Sequence, residues 1–135
     1  MPYITVHDGT QQSHRAFQTA IQCARRALGT LDLIGIVGID TRSREPAASA
    51  GDSEWQTGWL SRLTEIYAEQ ARSSGVTFTS RLLPATDPCL LLDTLYGMEF
   101  DLIVIPKGLT QFGLHGERLV PSIIARRNVN VLVCP

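Results

Sequence analysis

Apolar residues along the chain follow two alternating patterns. Short runs of mostly β-branched or aliphatic residues occur at Tyr3 to His7, Leu31 to Gly38, Val76 to Leu82, Asp101 to Ile105 and Asn130 to Val133, and such runs predict strands. The run Leu102-Ile103-Val104-Ile105 is apolar without alternation, as a parallel strand covered on both faces requires. Between the runs lie longer segments whose apolar residues recur at steps of three and four, the spacing of one helical face. The clearest is Phe17, Ala20, Ile21, Ala24, Ala27 and Leu28; Trp55, Trp59, Leu63, Ile66 and Tyr67 form a second, and Leu91, Leu95 and Met98 a weaker third. A fourth helix is predicted within Arg118 to Arg127, with Ile123 and Ile124 facing inward.

Punctuation fits these boundaries. Ser53 with Gln56 has the form of a capping box, and Asp87-Pro88 offers an N-cap followed by proline at the first helical position. Gly29, Gly75 and Gly97 each fall between a helix and the next strand, where a left-handed residue is wanted, and Arg25, Arg26 and Arg72 fall in last turns, where cations suit the helix dipole. Thr41 to Asp52, rich in Ser, Ala, Arg and Gly, has no periodicity and reads as a mobile surface loop.

Strands alternating with helices imply parallel strands joined by right-handed crossovers. The expected fold is therefore α/β: a three-layer α/β/α, doubly wound, five-stranded parallel sheet of order 3-2-1-4-5, built as one domain over residues 1–135. Length agrees, since 135 residues is the size of one compact core.

Composition narrows the partners. A net charge of −1, with Lys and Arg scattered among Asp and Glu, provides no basic stripe for a nucleic acid duplex. Met1 to Asp8 lacks the charged lead and long apolar core of a signal peptide, and no stretch reaches membrane-spanning length, so neither secretion nor membrane insertion is expected and the cytoplasm is the default compartment. Cys23, Cys89 and Cys134 form no C-x-x-C pair, the three histidines share no metal-ligand spacing, and neither a disulfide framework nor a metal site is expected. Cys89 lies near a predicted helix start that would lower a thiol pKa; a small buried side chain is the preferred reading.

In a doubly wound sheet a ligand lies at the carboxyl ends of the strands, where the winding reverses. With the expected order, that crevice lies between the first and fourth strands and is bordered by Asp8-Gly9-Thr10 and by Pro106-Lys107-Gly108. The loop after Gly108 adds Gly113 and Gly116 and leads into a helix, so its amides are able to approach a phosphate closely. Asp-Gly-Thr before a helix is equally an ordinary turn with Thr10 as N-cap, and Lys107 and His115, alone in a loop, read as solvated. His7, Asp8 and Ser13 are too close in sequence to converge as a catalytic relay. Trp55 and Trp59, one turn apart, read as packing on the sheet rather than as a partner surface.

The residues also resemble a known family. Ile4-Thr5-Val6-His7-Asp8-Gly9-Thr10, followed by Ser13, Ala16, Ala20, Ala24 and Leu28-Gly29, is similar to the opening of universal stress proteins (UspA-like domains). Asp101 to Ile105 resembles their fourth strand and Val129 to Val133 their closing one. The resemblance implies a homodimeric stress-response or regulatory binding protein, with ATP, ADP or AMP, with Mg, as its ligand. It places that ligand against Asp8, backbone near Val37 at the end of the second strand, and a glycine motif after the fourth. That motif, Gly, two residues, Gly, nine residues, then Gly-Ser or Gly-Thr, is degraded here: its glycines fall on Pro106 and Leu109 and its close at about Val120-Pro121, with Ser122 as the nearest hydroxyl. Proline has no amide hydrogen to donate and a leucine side chain keeps backbone away from a phosphate, so the expectation is weak or atypical binding of an adenine nucleotide, or none.

The resemblance also implies pairing of two copies through the last strand, at Val129, Val131, Leu132 and Val133; an apolar sheet edge independently invites it. No enzyme is expected, since no catalytic constellation is present. The alternatives are a slow ATPase or an accessory sensor domain for a different small ligand or protein partner, and no motif for a protein partner is legible.

Overall fold

The computed structural model describes residues 2–37, 39–40, 45–46, 50–84, 88–107 and 130–134. The predicted runs become the strands β1 (Pro2–His7), β2 (Thr30–Val37), β3 (Thr77–Pro84), β4 (Leu102–Pro106) and β5 (Asn130–Cys134) of one sheet. In chain order they lie third, second, first, fourth, fifth across it, the expected arrangement. β1 is central and pairs in parallel with β2, from Pro2 opposite Thr30 to His7 opposite Gly35. On its other side it pairs in parallel with β4 at Tyr3–Leu102, Ile4–Ile103 and Thr5–Val104. The outer pairs β2–β3 and β4–β5 are parallel as well.

Successive strand residues point to opposite faces, and both faces are covered. Ile4, Val6, Ile34, Ile36, Ile103 and Ile105 pack with Leu91 and Leu95 of α3 (Pro88–Tyr96). Leu31, Leu33 and Val104 pack with Phe17, Ala20 and Ala24 of α1 (Gln11–Arg26) and with Tyr67 and Ala71 of α2 (Ala50–Ser73). The apolar stripes of the two longer helices thus share one face and α3 takes the other. Phe17 and Tyr67 stack with ring centroids 3.7 Å apart, joining α1 to α2. Gly35 makes room for a side chain of the neighbouring strand: a Cβ there would stand 2.6 Å from Leu82 Cδ2 of β3, while Leu60 Cδ1 of α2 would lie at an ordinary contact distance of 3.6 Å.

Several local expectations need correction. α2 begins at Ala50, so Ser53 lies inside the helix, where its dihedrals are wrong for an N-cap. Part of the expected loop is likewise ordered, as Glu45–Pro46 pairs antiparallel with Ile39–Asp40. Val76 precedes β3, because its N–H donates to Ala71 O and closes the preceding helix. Met98 lies beyond the end of α3 yet still packs against the core. Of the three glycines expected in left-handed backbone only Gly75 adopts it, at φ 74°; at the end of α1 the residue is Leu28, at φ 52°. The helix expected within Arg118 to Arg127 lies outside the described residues.

Candidate functional site

Because β1 and β4 are parallel neighbours, their carboxyl ends open on one crevice. Thr5 ties the seam, its buried hydroxyl donating to Val104 O at 3.1 Å. The chain leaves β1 through Asp8-Gly9-Thr10 and leaves β4 through Pro106, which is buried, and Lys107, which is exposed.

The first of these exits is built by side chains. Asp8 is 1% exposed. Its Oδ1 accepts from Thr10 N at 3.0 Å, from the Thr10 hydroxyl at 2.5 Å and from the Ser13 hydroxyl at 2.6 Å. Asp8 N donates in return to Ser13 Oγ at 3.0 Å. Thr10 is the N-cap of α1, accepting from Ser13 N. An aspartate that bonds the backbone two residues on is an Asx-turn, and a threonine that receives the N3 amide satisfies one of the helix's orphan donors. Gly9 completes the turn at φ 87°, a conformation that would strain any other residue.

Beneath the turn lies a second polar cluster that sequence reasoning missed. His7, 1% exposed, accepts from Gly9 N at Nδ1 (2.9 Å) and meets the Tyr67 hydroxyl at Nε2 (3.0 Å). The same hydroxyl lies 2.8 Å from His14 Nδ1. Burial pushes the His7 pKa down to about 4, with Asp8 opposing the shift and His14 adding to it, and burial also drives the Tyr67 hydroxyl well above its ordinary value. The signal that would have found the pair is a polar residue at a core position in each element: His7 at the end of an apolar central strand, and Tyr67 on the apolar stripe of α2. Such groups need a partner when buried. The His7 ring turns to Tyr67 and to the Gly9 amide, while Asp8 turns to Ser13.

Trp59 is not packed on the sheet as expected. It is 44% exposed, and its indole edge runs beside the crevice turn, with Cδ1 3.8 Å and Nε1 3.9 Å from where a Gly9 Cβ would stand. Its neighbour Leu60 is 1% exposed, with Cδ1 at contact distance, 3.6 Å, from where a Gly35 Cβ would stand.

Of the other residues singled out from sequence, Val37 ends β2 opposite Pro84, and Pro106 ends β4 opposite Cys134. Gly108, Gly113, Gly116, Ser122 and Val129, with the rest of the degraded glycine motif, lie outside the described residues. On β5, Val131 is partly buried against the core, while Leu132 and Val133 are 38% and 39% exposed. No group of three His, Cys, Asp or Glu side chains able to hold a metal occurs among the described residues, and no described helix is long and apolar enough to cross a membrane.

No protein-family model matches the chain, and no curated protein matches it by sequence. Solved structures do. A universal stress protein in complex with cAMP superposes with a TM-score of 0.61 at 18% identity, over 100% of this chain and 97% of the other. A universal stress protein family member from Burkholderia pseudomallei gives 0.64 at 19% identity over 99% and 95%. One from Arabidopsis thaliana with AMP bound gives 0.63 at 10% identity over 99% and 90%. At such identities the likeness speaks for architecture, and with the sheet order and the central β1 already in place it is decisive there: this chain has the UspA-like α/β fold of the universal stress proteins.

Proposed function

We propose that the protein is a universal stress-type regulatory binding protein, a single domain that holds an adenine nucleotide in the crevice between β1 and β4 and acts by binding rather than by turnover. The observation that carries this reading is the parallel pairing of β1 with β4, which opens both exits on one cleft. The Asp8-Gly9-Thr10 turn on one side has all three of its amides hydrogen-bonded to side chains, and Lys107 stands on the other. Asp8 Oδ1 is occupied by three donors, so Asp8 serves the ligand chiefly by shaping the turn. Trp59 beside Gly9 supplies an aromatic wall for a base, and Lys107 a cation for phosphate. The cAMP and AMP held by proteins of this fold support the choice of ligand.

Isothermal titration with AMP, ADP and Mg-ATP, with UMP as the control for the base, tests the reading. The expected result is an adenine-selective isotherm in a weak range, about 10 μM to 1 mM, since the glycine motif is degraded. In a Trp55→Phe background the same ligands should shift Trp59 emission. Flat titrations and unchanged emission at millimolar AMP and ATP would overturn the proposal, and phosphate release from ATP above a buffer blank would favour a slow ATPase.

The reading includes a homodimer paired through β5, whose exposed Leu132 and Val133 lie on the last strand of the described sheet. Light scattering should give twice the chain mass for the protein and the chain mass for Leu132→Lys. A monomer at high micromolar concentration would dismiss the dimer.

A further inference from the structure

A peptide N–H can only donate, and beneath the crevice turn this fixes the direction of a whole chain of hydrogen bonds. Gly9 N–H donates to His7 Nδ1 at 2.9 Å, so Nδ1 is an acceptor and the neutral ring carries its proton on Nε2. That proton points at the Tyr67 oxygen, 3.0 Å away. The Tyr67 hydroxyl, having accepted, gives its own proton to His14 Nδ1 at 2.8 Å. Every bond therefore runs outward, from a crevice amide through two buried rings to a half-buried imidazole on α1.

We propose that this chain couples protonation of His14 to the position of the Gly9 amide, making His7, Tyr67 and His14 proton-sensitive positioning residues for the turn that faces the ligand. Its consequence for a ligand rests on the nucleotide reading above; the coupling itself does not. A proton held at His14 Nδ1 turns that nitrogen from acceptor into donor. The Tyr67 oxygen then faces two donors, and its own proton finds an acceptor in the chain only if His7 Nε2 gives up its hydrogen. With one added proton in all, the exchange balances as a shift along the chain: a proton from water at the half-buried turn binds His7 Nδ1, His7 passes its Nε2 hydrogen to the Tyr67 oxygen, and Tyr67 passes its own to His14 Nδ1. His7 stays neutral and His14 carries the charge, but at Nδ1 His7 now meets Gly9 N–H, donor against donor. Donor facing donor is unfavourable, so the bond that holds the Gly9 amide in the resting turn is lost, and a glycine's backbone, having no Cβ, is able to move once it is.

The charged and titratable neighbours are consistent with His14 as the ring that carries the charge. Asp8 lies beside His7 in the turn, and Tyr67 of α2 stands between the two imidazoles. Across from His7 on β2 is Gly35, and β4 presents only Leu102 to Pro106 before the exposed Lys107. Burial holds His7 near 4 and Tyr67 far above neutral, and of the three rings only that of His14 is half-open to water.

The test is the Gly9 amide in 15N-labelled protein followed by NMR from pH 8 to pH 5. It should shift in step with the His14 ring in the wild type and stay flat in Tyr67→Phe, which keeps the ring stacked on Phe17, and in His14→Gln, which keeps an acceptor but cannot titrate. A Gly9 amide that ignores pH in the wild type, or titrates equally in both variants, overturns the coupling. For the ligand, the ratio of AMP Kd at pH 5.5 to that at pH 7.5 should be about threefold larger in the wild type than in His14→Gln; titration of the AMP phosphate is common to both and cancels. Equal ratios overturn the positioning role. Absence of AMP binding to either protein would sink the nucleotide reading instead, while the amide shifts would still decide the coupling.

Discussion

The two ends of α1 are closed by opposite means. At its start, where the chain leaves β1 for the crevice, the turn is held by side chains: Asp8, Thr10 and Ser13 bond one another, and Gly9 is pinned from below by His7. At its finish the closure is entirely backbone. Gly29 N donates to Ala24 O at 2.8 Å and Leu28 N to Arg25 O at 3.3 Å, the paired bonds of a Schellman motif. The backbone closure needs nothing from the rest of the molecule, whereas the side-chain closure reaches α2, since His7 and Tyr67 are separated by 60 residues of chain. A turn that depends on the tertiary fold is positioned by it. This is what the proposed ligand site requires, and the far end of the helix has no such need.

If that contrast is right, the crevice end should be much the more sensitive to substitution. Asp8→Ala removes the acceptor of three donors in a site that is almost fully buried. Leaving buried hydroxyls and an amide unpaired should cost about 3 kcal/mol of unfolding free energy. Asp8→Asn keeps an oxygen in place and should cost about 1 kcal/mol. Urea denaturation of the three proteins at pH 7 measures both; a loss below about 1 kcal/mol for Asp8→Ala would mean that the turn is held by something else.

Acidification should strike the same end next. The folded pKa of His7, about 4, lies below the ordinary 6.5, so as pH falls below 6.5 the unfolded chain takes up a proton that the folded one refuses. Stability conferred by keeping His7 neutral is complete above pH 6.5 and is lost as pH drops toward 4. The His7 contribution amounts to about 2 kcal/mol by pH 5. His7→Asn keeps an acceptor for Gly9 N–H but has no imidazole to titrate, so its stability curve should be flatter between pH 7 and pH 5 by that amount. Parallel curves for the two proteins would place the pH dependence elsewhere.

The contrast also explains what could be read from the chain alone. Alternating apolar runs and helical stripes carried the sheet order, because strand order follows from crossover handedness and from which runs are apolar on both faces. Thr10 as N-cap was legible because its partner Ser13 is three residues away. The His7–Tyr67–His14 cluster was not, since no local rule joins a strand residue to the fifth turn of a later helix. Trp59 was misplaced for a related reason: periodicity put it on the apolar stripe, but it is Leu60, the next residue, that lies in the core. Even the local rules slipped where two residues compete for one position. Gly29 was expected to take the left-handed place that Leu28 occupies.

That slip sets the smallest prediction. α2 closes with the same pair of bonds, Val76 N to Ala71 O at 2.9 Å and Gly75 N to Arg72 O at 3.1 Å, but with glycine in the left-handed position. Leu28 is 93% exposed and has almost no packing to lose. Leu28→Gly should relieve about 1–2 kcal/mol of backbone strain, offset by about 0.5–1 kcal/mol from the greater freedom of glycine in the unfolded chain. The net expectation is a gain of about 0.5 kcal/mol. Gly75→Ala runs the exchange backwards and should lose about as much, with no neighbour within 4 Å of the new Cβ to complicate it. Denaturation midpoints that move in opposite directions at constant m-value would show that the two ends are one motif with different residues. If Leu28→Gly destabilises instead, the leucine has a role at that surface beyond its backbone, and the far end of α1 is less self-sufficient than its hydrogen bonds indicate.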